Sequence, residues 1–244
     1  MKMNVHELGF AGNRQQKACG QGRTSGFTLV ELLTVISIIA LMAGIAVSVG
    51  GLAKTKSRQA RMNSEHQKLV TAIDAYKAEM GFYPPDHADL AILSSITATN
   101  RTRLAGMNPL FYELSGAIFD NIKFVVANKE DTEAITPADL LAAFGAKGIS
   151  NSARQKRDIP YKGLSFKPSE YREVDGYASS VQILMAPVDG PNNALFKRKG
   201  GTPGGISAWL YDCSSPYRHN PDTYDLWCEY TLGNKTVTVG NWKE

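Results

Sequence analysis

The sequence predicts an α+β chain whose long N-terminal helix, transmembrane in its first half and amphipathic in its second, packs on a small antiparallel β-sheet domain. Three observations predict it. Residues 27 to 53 are almost wholly apolar and hold one charge, Glu31. The polar stretch that follows keeps a helical period, with Leu69, Ile73, Tyr76 and Met80 four, three and four residues apart. Beyond residue 160, short runs suited to strands alternate with glycine- and proline-rich loops.

The first 26 residues carry Lys2, Arg14, Lys17 and Arg23 against Glu7 alone, so most of the formal charge of +4 sits there. The remainder is nearly neutral, which gives no case for a nucleic-acid partner. Of three cysteines, Cys19 lies in this basic segment and leaves Cys213 and Cys228 as one candidate pair. In an oxidising compartment a bridge between them would stabilise by roughly 3 kcal/mol in the chain-entropy model; the alternative is two unpaired thiols.

The apolar run is long enough to cross a bilayer as a helix, which takes about 20 residues. A cleaved secretory signal would end in small residues after a shorter apolar core, whereas here the small polar residues precede the run and helical periodicity continues beyond it. Basic residues flank it on both sides, so the flanking-charge rule leaves orientation open. Glu31 is the anomaly, because an ionised carboxylate near the end of a membrane helix costs a few kcal/mol unless it finds a partner or water. A carboxylate resting at headgroup level is the ordinary account of it.

Gly26-Phe27-Thr28-Leu29-Val30-Glu31, after a short basic leader and before a run of Leu, Ile, Val and Ala, resembles the prepilin processing motif of type IV pilin-like proteins. The resemblance implies cleavage after Gly26 by a membrane-embedded prepilin peptidase, N-methylation of the new terminal Phe27, and a role for Glu31 in filament assembly. A freed amine at Phe27 would lie one helical turn before Glu31, near enough to pair with it or with the carboxylate of an adjacent subunit.

Gly81, followed by Phe82-Tyr83-Pro84-Pro85-Asp86, is expected to stop the helix near Met80, since glycine accepts a left-handed cap and proline cannot continue the ladder. Within the run, Ala40, Ala43, Gly44 and Ala46 favour close helix association, and Gly44, Gly50 and Gly51 are places where the helix can bend. Lys54, Lys56, Arg58 and Arg61 lack interleaved aromatics and suit a membrane surface or an inter-subunit contact better than nucleic acid.

Short helices are expected at residues 88–96, 109–118 and 137–144, the last capped by Thr136 before Pro137. Strands are expected at 122–126 and between 161 and 187, most clearly at 181–185, and a loop over 191–205. There is no Gly-x-Ser-x-Gly, His-Glu-x-x-His, phosphate loop or Cys-x-x-Cys. His6, His66, His87 and His219 are scattered. Nothing here points to an enzyme.

Trp209-Leu210-Tyr211-Asp212, Ser215-Pro216-Tyr217-Arg218, Tyr224-Asp225-Leu226-Trp227 and Val239-Gly240-Asn241-Trp242, with the turn at 81–85, resemble the major pseudopilin subfamily of type II secretion. That resemblance implies homopolymerisation with other pseudopilins into a periplasmic filament, an inner-membrane assembly platform and secreted protein cargo. It also implies a calcium-holding loop before the closing Gly-Asn-Trp. Here that loop, residues 229–236, offers one glutamate and carries Lys235, whereas calcium takes six to eight oxygens. Cys228 stands where the subfamily tends to have serine, which suggests a disulfide to Cys213 in place of metal. The expected organisation is a leader at 1–26, an assembly helix at 27–53, its amphipathic continuation at 54–80, a variable segment at 81–205 and a C-terminal sheet region at 206–244. An external type IV pilus subunit and an anchored protein that never polymerises are the two rival readings.

Overall fold

The computed structural model describes residues 26–86, 97, 101–127, 133–188, 190–191 and 207–242, with side chains described at all of these but 45–52 and 103. The first helix, α1, spans Leu29–Met80. Gly81 ends it as expected, with φ +85° and its N–H donated to the Lys77 carbonyl at 2.9 Å. The chain divides into two compact units, Met1–Val49 and Gly50–Glu244.

Among the described residues no helix is long and apolar enough to cross a membrane. The expected span of 27–53 is thus matched only in its helical conformation. The apolar part of α1 with described side chains stops at Gly44, short of the roughly 20 residues a crossing needs.

In the second unit, Met62, Leu69, Ile73 and Tyr76 are buried and His66 lies on the same stripe. Their spacing, with Met80 packed at its edge, is the one read from the sequence, extended two turns further back through His66 to Met62. Beyond α1 come α2 (Arg101–Gly106), α3 (Leu110–Ser115) and α4 (Pro137–Phe144). The α4 start is the expected one, for the Thr136 hydroxyl accepts the Asp139 N–H at 3.1 Å. The helix expected at 109–118 is shorter, because Gly116 takes φ +77° and a Cβ there would meet Ile159 Cγ2 at 2.8 Å. The chain turns there into strand β1. The expected helix at 88–96 and most of the loop at 191–205 lie outside the described residues.

The sheet content departs from one small antiparallel sheet. Strands β1 (Ala117–Phe119), β2 (Phe124–Val126), β3 (Ala134–Ile135) and β4 (Ser152–Ala153) form a sheet in the order β3-β2-β1-β4, with β4 parallel to β1. The parallel pair is possible because α4 lies in the connection from β3 to β4 and returns the chain to the same edge. Strands β5 (Tyr171–Glu173) and β6 (Gln182–Leu184) make an antiparallel pair, and β7 (Leu210–Asp212), β8 (Asp225–Leu232) and β9 (Lys235–Gly240) an antiparallel meander.

A buried carboxylate ties these pieces to α1. Glu113, 1 % exposed, accepts the Tyr76 hydroxyl at 2.8 Å and the N–H groups of Ser150 and Asn151 at 2.8 and 3.0 Å. The Asn151 amide donates to the carbonyls of Glu113 and Tyr161 and accepts the Tyr161 N–H. Burial raises the Glu113 carboxyl above its ordinary range, against the hydrogen bonds that lower it. The folded chain therefore holds this proton to higher pH than the unfolded one.

Two outcomes follow. Glu113→Ala strands two buried N–H groups and a hydroxyl and should lower stability by about 3 kcal/mol in urea unfolding. The Glu113 contribution is full below the ordinary carboxylate pKa and declines as pH rises through the higher folded value. The stability advantage of wild type over Glu113→Gln should accordingly shrink from pH 4 upward.

Candidate functional site

The N-terminal motif is open to solvent. Gly26 is exposed, with nothing within 4 Å of where a Cβ would stand, and Phe27 is 77 % exposed. The bond between them lies before the first helical turn, outside regular structure. Thr28 and Glu31 then begin α1 by a reciprocal cap. The Glu31 N–H donates to the Thr28 hydroxyl oxygen at 3.2 Å, while the Thr28 N–H and hydroxyl both donate to Glu31 Oε2, at 3.0 and 2.9 Å. This is a capping box, Thr-x-x-Glu, in which each residue satisfies a donor of the other. Its signature was present in the sequence, and it gives Glu31 a local role beside any contact with an amine.

Past the cap the helix has no dry side. Leu29, Val30, Leu32, Leu33, Ile36 and Met42 point in all directions, and the large apolar residues of this stretch are at least 45 % exposed. A helix that is apolar all round belongs in a core or a membrane. Covering ten such side chains would contribute on the order of 20 kcal/mol.

In the second unit the C-terminal sheet holds an ion cluster that local sequence gave no sign of. From α2, Arg101 Nε donates to Asp212 Oδ2 at 2.6 Å and its Nη2 to Asp225 Oδ2, with the guanidinium 4.8 Å from the Trp227 ring centre. The Asp225 side chain is fully buried and also accepts the N–H groups of His219 and Asn220. Burial would raise its carboxyl, but the hydrogen bonds from His219, Asn220 and Arg101 outweigh that and hold it below the usual range. The His219 ring stacks on Trp242 at 4.1 Å.

The stretch expected as a calcium loop is a hairpin. Residues 229–232 continue β8 and pair with β9, from Glu229 opposite Thr238 to Leu232 opposite Lys235, around Gly233 at φ +60°. It brings one carboxylate, and the nearby Asp225 oxygens are occupied by protein donors, a set that does not fit calcium. Among the described residues no group of three or more His, Cys, Asp and Glu side chains is arranged to hold a metal ion.

In place of the expected Cys213–Cys228 bridge, the structure shows both thiols free. The β7–β8 register pairs Leu210 with Trp227 and Asp212 with Asp225, so Cys213 falls opposite residue 224, four positions from Cys228. That is roughly 13 Å along a strand, beyond the reach of a disulfide. Instead the Cys213 thiol donates to the Pro84 carbonyl at 3.4 Å, and burial pushes both thiols well up.

Residues 22–47, which include Gly26, Phe27 and Glu31, match the family described as the prokaryotic N-terminal methylation motif. The chain is 31 % identical over 87 residues to the type II secretion system core protein G of Pectobacterium carotovorum subsp. carotovorum, a match covering 33 % of this chain. The chain spans about 56 % of the length of that relative. No solved structure matches.

Two substitutions test the geometry. Thr28→Ala removes the reciprocal cap and costs the first turn about 1 kcal/mol, seen as roughly fivefold faster amide exchange there. Arg101→Ala leaves two buried carboxylates without their cation and should cost about 3 to 5 kcal/mol in urea unfolding.

Proposed function

We propose that this chain is a pseudopilin: a structural subunit cut by a prepilin peptidase between Gly26 and Phe27, methylated at Phe27 and polymerised through its apolar helix. The filament is periplasmic and belongs to a type II secretion system. An inner-membrane assembly platform extends it by adding subunits, and folded cargo is exported as it grows. Its chemistry is assembly rather than catalysis.

The observation that carries this reading is the exposed start of α1, with a single carboxylate at Glu31 among large apolar side chains that are exposed all round the helix. Such a surface needs hydrocarbon or other copies of the same helix to cover it. In the precursor the Glu31 carboxylate is held by Thr28. After cleavage the new Phe27 ammonium lies beside it, and a charge in an apolar setting seeks a charge partner. The core protein G relative favours a pseudopilin over an external pilus subunit.

Glu31→Ala should leave the protein inserted in membranes and cut at Gly26, yet reduce filament yield to background in sheared or cross-linked fractions. Unchanged yield would remove Glu31 from assembly. Filaments released outside the cell at native expression would favour the external pilus instead.

A further inference from the structure

The basic cluster that follows the apolar run is more than a strip of surface charge. Ser57, Arg58 and Arg61 line a cavity of about 220 Å³ whose other wall is Pro187 and Val188, directly after β6 and its bridge at Met185. Arg58 and Arg61 lie three residues apart and so share one face of α1. Among the described residues neither guanidinium has a carboxylate partner, and each can offer a planar fork of donors that suits a phosphate. Ser57 adds a hydroxyl. Two cations without an anion among the described residues around one polar cavity make a site built for an anion.

Its place on α1 says which anion. Ser57 stands four residues, about 6 Å along the helix, past Ala53, where the apolar run ends. With that run in a bilayer, this is the depth of the lipid phosphates, and basic residues just outside a membrane helix attract anionic lipid. We propose that the Ser57–Arg58–Arg61 cavity binds the phosphate of an anionic phospholipid, holding the unassembled subunit at a fixed depth until the filament takes it up. The inference rests on the membrane anchorage in the proposed function.

The test uses the full-length protein extracted in mild detergent, with bound lipid counted by native mass spectrometry after adding phosphatidylglycerol or phosphatidylcholine. Wild type should retain phosphatidylglycerol about tenfold over phosphatidylcholine. Arg58→Gln with Arg61→Gln should abolish the preference. So should Ser57→Glu, which supplies the cavity with its own carboxylate one turn before Arg61 and leaves the helix intact. Lys156→Gln with Arg157→Gln, on an exposed turn outside this cavity, should keep the preference.

Retention unchanged in the double arginine variant, or displacement of the lipid by millimolar inorganic phosphate, would overturn the assignment to a phospholipid. The outcome separates from that of the parent reading. A chain that is cut at Phe27 and forms filaments without any phosphatidylglycerol preference refutes the lipid site alone. A chain that is never cut but shows the preference refutes the pseudopilin and leaves the site standing.

Discussion

Everything else in this molecule is arranged around what can cover α1. An isolated helix is stable in water only marginally, and most of its stability comes from packing of its apolar surface. Along α1 that surface takes two forms. Near the start, large apolar residues are exposed on all sides; from Met62 onward the apolar residues form one stripe, buried by the chain's own domain. The domain completes one part of the helix by itself. The other part is covered by nothing among the described residues, a surface that suits lipid or other helices.

The way the domain holds the stripe is correspondingly polar and specific. Tyr76 on α1 reaches Glu113 on α3, which gathers Ser150 and Asn151. Two glycines let backbones approach at the same place: at Gly163 a Cβ would stand 1.6 Å from the Leu114 carbonyl oxygen, and Gly116 faces Ile159. At the opposite side of the sequence, Arg101 closes the C-terminal sheet by joining Asp212 to Asp225. A buried pair of this kind is weak support on balance but severe to break, because either remnant is a buried charge. It does by an internal cation what a bound metal does elsewhere, drawing two carboxylates together on neighbouring strands.

Features written in local sequence were legible there: the helix over α1, its stop at Gly81, the Thr136 cap and the stripe from Leu69 to Met80. Each depends on residues within a turn or two of one another. What was not legible depends on partners far apart in the chain. Arg101 lies 111 and 124 residues from its two aspartates, and Glu113 is 37 from Tyr76. Cysteine count alone suggested the Cys213–Cys228 pair, whereas strand register decides whether two thiols meet. The parallel β1–β4 pair was hidden because its strands are two or three residues long and carry no period. At the functional end the motif was readable in full, while the reciprocal Thr28–Glu31 cap shows a second use for a residue whose charge had drawn attention alone.

The central claim is that this chain is a prepilin whose helix is released for assembly by cleavage, and the most direct measurement is the intact mass of the membrane-extracted protein together with its N-terminal sequence. The account predicts a chain beginning at Phe27, with the added mass of one methyl group on its amine. A chain beginning at Met1, or one cut beyond the apolar run, would contradict it.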